Sequence, residues 1–234
     1  CLSSLSQTSI RLPDIISSSM VLQQQTEVKI WGKATPGSRI SIHTDWTRKD
    51  ISTEADADST WFLRVTTPKA SWHQHVIALR ENGNATTQVV LSNVLIGEVW
   101  FCSGQSNMEM FLNGFGGCPI DGANEEIATA AEWAGRIRMA NVPKTGNTEP
   151  QEWVSGCKWN VPDVNTAPWM SAAAWHFAKM LTRTLQVPVG IISCAWGGSR
   201  VEGWLPRNIL ESYPDIKLEE ELKALRESEM WQTA

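Results

Sequence analysis

No apolar run in the sequence approaches the roughly 20 residues that a helix needs to cross a bilayer, so a helical membrane span is excluded. Cationic surplus is missing as well. Lys and Arg number 20 against 25 Asp and Glu, for a formal charge of −5, and no basic stripe suits a phosphate backbone, which argues against nucleic acid as a partner. Histidine is scarce at four residues, and the five cysteines form no Cys-x-x-Cys pair and no Cys/His zinc spacing. No metal site is therefore expected. Being odd in number, the cysteines leave at least one thiol unpaired within the chain, and the redox compartment stays open. Tyrosine is nearly absent, with one residue beside 5 Phe and 13 Trp, so tryptophan supplies most of the aromatic surface. Its flat face and polar N–H suit core corners and sugar ligands alike, and composition does not choose between them.

What is present divides the chain in two. Up to about residue 92, short strands follow one another at close intervals. Val28 and Ile30 flank Lys29, Ile40 and Ile42 flank Ser41, and Trp61–Val65 and Val76–Leu79 come next. Thr35-Pro36-Gly37-Ser38 and Glu81-Asn82-Gly83-Asn84 separate them with turn chemistry. This spacing predicts an antiparallel β-sandwich or jelly-roll-like domain over 1–92. From about Asn93 the pattern changes, because Val94–Cys102 is a nearly continuous apolar run of the kind buried on both faces of a parallel sheet. Further strands are expected at Ile137–Val142 and Val189–Ala195. Ala173, Ala174, Phe177, Ala178, Leu181 and Leu185 predict an amphipathic helix over about 170–185. Helix, short connection and buried strand make an α/β unit, assigned to a second domain over 93–234. From Pro214 onward a charged helix is expected, with Leu218, Leu222 and Leu225 on one face and Glu219 positioned to pair with Lys223.

The sharpest chemical feature is Ser103-Gly104-Gln105-Ser106-Asn107-Met108, directly after the strongest buried strand. A serine on a glycine-permitted turn at the carboxyl end of a parallel strand faces a crevice and lies near free backbone N–H groups. Acyl transfer needs those two things, an accessible hydroxyl and donors for a developing oxyanion. It is not the Gly-x-Ser-x-Gly elbow, because Met108 stands where the second glycine would. Gly197 and Gly198, after the Val189–Ala195 strand, would let backbone approach a ligand closely. Ser199 is a rival nucleophile without a supporting motif, and Trp196 and Trp204 suit either a pocket wall or the core.

Gly97-Glu98-Val99-Trp100-Phe101-Cys102-Ser103-Gly104-Gln105-Ser106-Asn107-Met108 resembles the nucleophile block of the sialate O-acetylesterase family, a branch of the SGNH hydrolases. Further matching blocks are Met20–Gln24, Trp31-Gly32 and Pro36-Gly37 upstream, and Pro188–Ile192, Trp196–Ser199 and Glu202–Trp204 downstream. The resemblance covers the amino-terminal portion of that family only. It implies a flavodoxin-like three-layer α/β catalytic domain, incomplete in this chain, preceded by a β-rich region. It also implies removal of O-acetyl groups from sialic acid or other glycans. By position, Ser106 resembles the nucleophile and one oxyanion donor, and Gly198, with Gly197 beside it, resembles the second donor. Gln105, Asn107 and Trp196 are placed at the substrate pocket. No cofactor is implied.

The departures are as specific as the match. The family's Asp-x-x-His and Gln-Gly-Glu blocks do not occur in these 234 residues. His43, His73 and His75 fall in the expected sandwich, and His176 falls inside the expected helix. His73 and His75 share one strand face, but two ligands alone do not make a metal site. Ser106 without a base is a weak nucleophile, so a second polypeptide carrying the Asp-x-x-His block, or sequence beyond this chain, is the expected source of the imidazole. The expected partner is acetylated sialic acid or another acetylated glycan. The alternatives are an acetylated plant polysaccharide as substrate, or a glycan-binding protein without catalysis. Cys1 resembles the lipid-bearing first residue of a mature bacterial lipoprotein, and an arbitrary chain boundary explains it equally. Asn84-Ala85-Thr86 is a glycosylation sequon only in a eukaryotic secretory cell. Together these lean toward an extracytoplasmic location, periplasmic, lipoprotein-anchored or secreted.

Overall fold

The computed structural model describes residues 8–147 and 149–228, so the expectation attached to Cys1 lies outside the described residues. Ten strands run along it in order: β1 Val21–Gln23, β2 Glu27–Lys33, β3 Arg39–Thr44, β4 Ile51–Glu54, β5 Thr60–Thr66, β6 Ser71–Glu81, β7 Val89–Gly104, β8 Ile137–Asn141, β9 Trp159–Asn160 and β10 Val189–Ala195. Its α-helices are α1 Ser106–Glu109, α2 Ala123–Ala128, α3 Ala172–Leu185, α4 Arg207–Leu210 and α5 Leu218–Arg226. Eight strands form one mixed sheet in the order β4-β3-β6-β7-β10-β8-β9, with β1 also paired to β7, while β2 and β5 form a separate antiparallel pair. The chain is therefore a mixed α/β structure.

Alternation made β2 and β3 legible and short closely spaced runs made β5 and β6 so, and the inward residues of both sheets meet. Ile30, Trp61 and Val65 share one core with Ile40, Ile42, Ile77, Leu79 and Leu95. Between β6 and β7 the chain turns at Asn82 and Gly83, both at positive φ (50° and 72°), a conformation that asparagine and glycine tolerate.

β7 joins the two halves of the sheet, and it runs straight through residues 92 and 93. Its first part pairs antiparallel with β6, and Leu95–Gly97 pair parallel with β1. From Glu98 onward the partner is β10, parallel, with Ala195 opposite Gly104. β10 in turn pairs parallel with β8, so the three expected buried strands stand side by side with β10 in the middle. α3 starts at the Ser171 cap, whose hydroxyl accepts from the Ala174 N–H at 3.2 Å. Its Ala174, Trp175 and Ala178 pack with Ile137, Met139, Val189 and Ile191 in a second core.

Two expectations are corrected. The apolar run in β7 is buried continuously only from Val94 to Gly97 and again at Cys102, while Trp100 is 42% and Phe101 62% exposed. No strand pairs with β7 from Glu98 to Gly104 on the edge away from β10 among the described residues. Glu219 bonds Arg207 of α4 rather than Lys223, because the chain folds α4 back beside α5. α5 buries none of its residues. The tryptophans divide: Trp61, Trp133, Trp159 and Trp175 are core, while Trp72, Trp100, Trp169 and Trp196 are exposed. The four described cysteines are free. Among the described residues no helix is long and apolar enough to cross a membrane.

Candidate active site

Ser106 follows the carboxyl end of β7 across Gly104 and Gln105. Gly104 has φ 146°, in the region open to glycine, and this sharp exit lets the chain enter α1 at once. The one-turn helix is pinned from below. Ser171 donates to the Met108 carbonyl at 2.6 Å, and the Ala172 N–H bonds the Met110 carbonyl at 2.8 Å. Ser106 is half-buried, while Gln105 and Asn107 on either side are exposed.

The second wall comes from the end of β10. Its pairing with β7 extends one step further, through the Trp196 N–H to the Gly104 carbonyl at 2.9 Å. That bond places the glycine turn over Ser106. A methyl group on Gly197 would stand 3.5 Å from Ser106 Cβ, 3.6 Å from its Cα and 3.0 Å from Glu109 Oε2. Gly198 has φ 79°, and a methyl there would meet open space. Ser199 is held within the loop, its hydroxyl donating to the Trp196 carbonyl at 2.6 Å and accepting from Trp204 Nε1 at 2.9 Å. Both its donor and an acceptor site are engaged, which speaks against the rival nucleophile.

Glu109 ties the two walls together and was missed in the sequence. Its Oε2 accepts the Gly197 N–H at 2.5 Å, and its Oε1 is bonded to Lys144. Burial opposes ionisation, but the hydrogen bonds from Lys144 and Gly197 and the Lys144 charge outweigh it and hold the carboxyl below the ordinary 4.5. With its N–H so engaged, Gly197 is not free to serve as the oxyanion donor expected beside Gly198. The one local signal was Ser106-x-x-Glu109, the spacing of a helix start, and nothing in it points to a partner 88 residues away.

No imidazole reaches Ser106 among the described residues. His43 bonds Asp50 at 2.8 Å, His75 bonds Asp45 at 2.7 Å with His73 beside it, and His176 is exposed on α3.

A cleft of about 440 Å³ opens beside the glycine turn between Lys144, Trp153, Ala195, Trp196 and Trp204. A second, of about 310 Å³, lies between Glu109, Phe111, Asn141, Lys144 and Trp169. Trp153 and Gln151 also border a hollow of about 290 Å³ on the β2–β5 pair, with Trp31, Phe62, Lys29 and Lys33. Trp153 thus borders both the first cleft and this hollow, and Lys29 stands over the Trp31 and Phe62 rings and Lys33 over the Trp153 ring.

No family model matches the chain. The sialate O-acetylesterase of Mus musculus is 28% identical over 214 residues, 86% of this chain and 38% of that protein. Those of Pongo abelii and Homo sapiens are each 30% identical over 207 residues, 83% of this chain and 38% of theirs. Over most of its length the chain is thus similar to part of the sialate O-acetylesterases. A solved structure of a carbohydrate acetylesterase from Xanthomonas citri superposes with a TM-score of 0.78 at 27% identity, over 91% of this chain and 45% of that one. The chain thus spans about two fifths of the length of the curated relatives it matches and under half of that structure.

Proposed function

We propose that this chain carries the nucleophile side of a carbohydrate O-acetylesterase. The observation that carries the reading is the meeting of Ser106 with the Gly197-Gly198 turn at the carboxyl ends of adjacent parallel strands. In the proposed reaction Ser106 Oγ attacks the acetyl carbonyl, and the carbonyl oxygen gains the negative charge. The Ser106 and Gly198 N–H groups stabilise it, and collapse expels the sugar hydroxyl to leave acetyl-Ser106. An imidazole takes the serine proton and returns it to the leaving oxygen, and water then releases acetate. We place that imidazole in an Asp-x-x-His block outside these 234 residues, on a continuation of the same polypeptide or on a second chain. The unpaired edge of β7 from Glu98 to Gly104 and the exposed Phe101 support a docking place for it. On this reading the parallel strands begin a flavodoxin-like SGNH sheet, and residues 1–92 form a β-rich domain that braces it. Gln105, Asn107 and Trp196 border the sugar, and the hollow bordered by Trp153, Trp31 and Phe62 suits a glycan.

The test uses the purified protein that contains this sequence. Its polypeptides are weighed intact, mixed with p-nitrophenyl acetate, and the acetylated residue is mapped. Burst release with acetyl on Ser106, and an Asp-x-x-His in the sample, is expected. Acetyl on another residue would overturn the assignment. No burst in a sample that holds the Asp-x-x-His would favour a glycan-binding role, which that hollow alone would serve.

Glu109 is a positioning residue on this reading. Its carboxyl is held low in the folded state, so the stability it contributes is complete above about pH 4.5 and is lost as the pH falls through its lower folded value. Glu109→Gln is expected to flatten that acid limb in urea midpoints measured across pH. Glu109→Ala, which leaves the Gly197 N–H without its acceptor, should lower kcat on the order of tenfold with KM little changed, since the turn that carries Gly198 loses its anchor. A variant with wild-type kcat would remove Glu109 from the site.

A further inference from the structure

His73 and His75 gain a third neighbour that their spacing does not reveal. Asp45 follows β3 directly, and because β3 lies beside β6 it comes against both imidazoles, 28 and 30 residues away in sequence. One oxygen, Oδ1, sits 2.7 Å from His75 Nδ1, and the other, Oδ2, sits 3.7 Å from His73 Nε2. Ligand atoms of all three residues fall within 4.8 Å of one another. A tetrahedral ion with bonds of about 2.0–2.1 Å needs its ligand atoms roughly 3.3 Å apart, so on binding the Asp45–His75 pair, now at hydrogen-bond distance, parts by about half an ångström and His73 closes on the same carboxylate. We propose that Asp45, His73 and His75 bind a divalent transition-metal ion of the zinc class.

The surroundings hold the three groups for that task. Asp45 Oδ2 accepts the Val76 N–H at 3.0 Å, which fixes the carboxylate plane. His75 is buried, with the edge of Trp46 against it at 5.0 Å. An Asp–His hydrogen bond joining the end of β3 to β6 explains these two residues without a metal. It does not explain His73, whose side chain is 67% exposed yet stands edge-on to His75 at 4.7 Å with a nitrogen toward the same carboxylate. Two imidazoles and one carboxylate suit Zn²⁺, Ni²⁺ or Co²⁺, and they supply too few oxygens for Ca²⁺. The outer side of the cluster faces solvent, which leaves water for the fourth position. Bound there, the ion fastens the end of β3 to β6. Ser106 lies at the far end of β7, so the ion is structural and the ester chemistry does not run through it.

The experiment is titration calorimetry of the chain, stripped with EDTA, against Zn²⁺ and separately Mg²⁺, with Co²⁺ absorption as a report on ligand type. One Zn²⁺ per chain is expected, with no response to Mg²⁺. His73→Ala and Asp45→Asn should each weaken Zn²⁺ binding at least tenfold while far-UV circular dichroism is unchanged. His43→Ala serves as the control, since His43 pairs with Asp50 alone at 2.8 Å, and it should bind as the wild type does. Absence of saturable Zn²⁺ binding, unchanged affinity in His73→Ala, or equal loss in His43→Ala would each overturn the site.

Discussion

Gly97→Ala is expected to destabilise the fold by about 3 kcal/mol or more, the largest loss from adding a single methyl group. Gly97 stands where β7 exchanges one parallel neighbour for the next, β1 up to this residue and β10 from the residue after it. Its carbonyl accepts the Gln24 N–H at 2.8 Å, and the next N–H, of Glu98, bonds the Pro188 carbonyl at 2.9 Å. A Cβ would stand 2.0 Å from that same Pro188 oxygen and 2.7 Å from its carbonyl carbon. The obstacle is backbone, held by the proline ring and by the hydrogen bond itself, so no side chain can rotate out of the way. Relief requires β7 and β10 to separate at the point where their pairing begins. Urea unfolding followed by tryptophan fluorescence checks this. A midpoint change equivalent to less than about 1 kcal/mol would mean that the two strands slide apart more easily than close packing allows. Gly83→Ala offers the contrast, because a methyl there meets nothing within 4 Å and the cost comes from its positive φ alone.

Gly97 was quoted in the sequence only as the first residue of a motif, and the reason for it lies in a segment some ninety residues later. The same division runs through the molecule. Alternation of Val28 with Ile30 and of Ile40 with Ile42, and the helical spacing that includes Ala174, Phe177, Ala178 and Leu181, report local burial and set β2, β3 and α3, although Ala173 and Leu185 of that spacing are exposed and the fully buried Trp175 was not in it. β1 escaped notice because three residues carry no period. It exists through pairing with Leu95–Gly97. Trp100 and Phe101 misled because an apolar run records what a strand is suited to touch, while exposure depends on which neighbours are there. The turn that carries Ser106 from β7 into α1 was legible because turn chemistry and a family motif coincide there. The Glu109–Gly197 bond and the approach of Asp45 to two histidines were not, since each is a meeting of residues from separate elements that only the strand register brings about.

Ser106→Ala is expected to abolish acetyl transfer, with kcat for an acetyl ester reduced on the order of 10⁴-fold or more in the protein that holds both the serine and its base. In the proposed reaction the hydroxyl is the group that forms the new bond to the acyl carbon, and no nearby side chain is placed to replace it. Asn107 has no nucleophilic oxygen. The Ser199 hydroxyl is donated to the Trp196 carbonyl and accepts from Trp204. The residual rate should come from the backbone donors and from substrate binding, which the substitution leaves in place, so KM or glycan affinity should move by less than about twofold. Stability should barely change, because Ser106 is half-buried on a one-turn helix whose anchors, the Met108 and Met110 carbonyls, belong to other residues. Steady-state kinetics, a denaturation midpoint and the acetyl-adduct map together separate the outcomes. Lost turnover with an intact fold and intact glycan binding assigns the chemistry to Ser106. Retained turnover would move the nucleophile elsewhere and would leave the meeting of Ser106 with the glycine turn as a feature of packing alone.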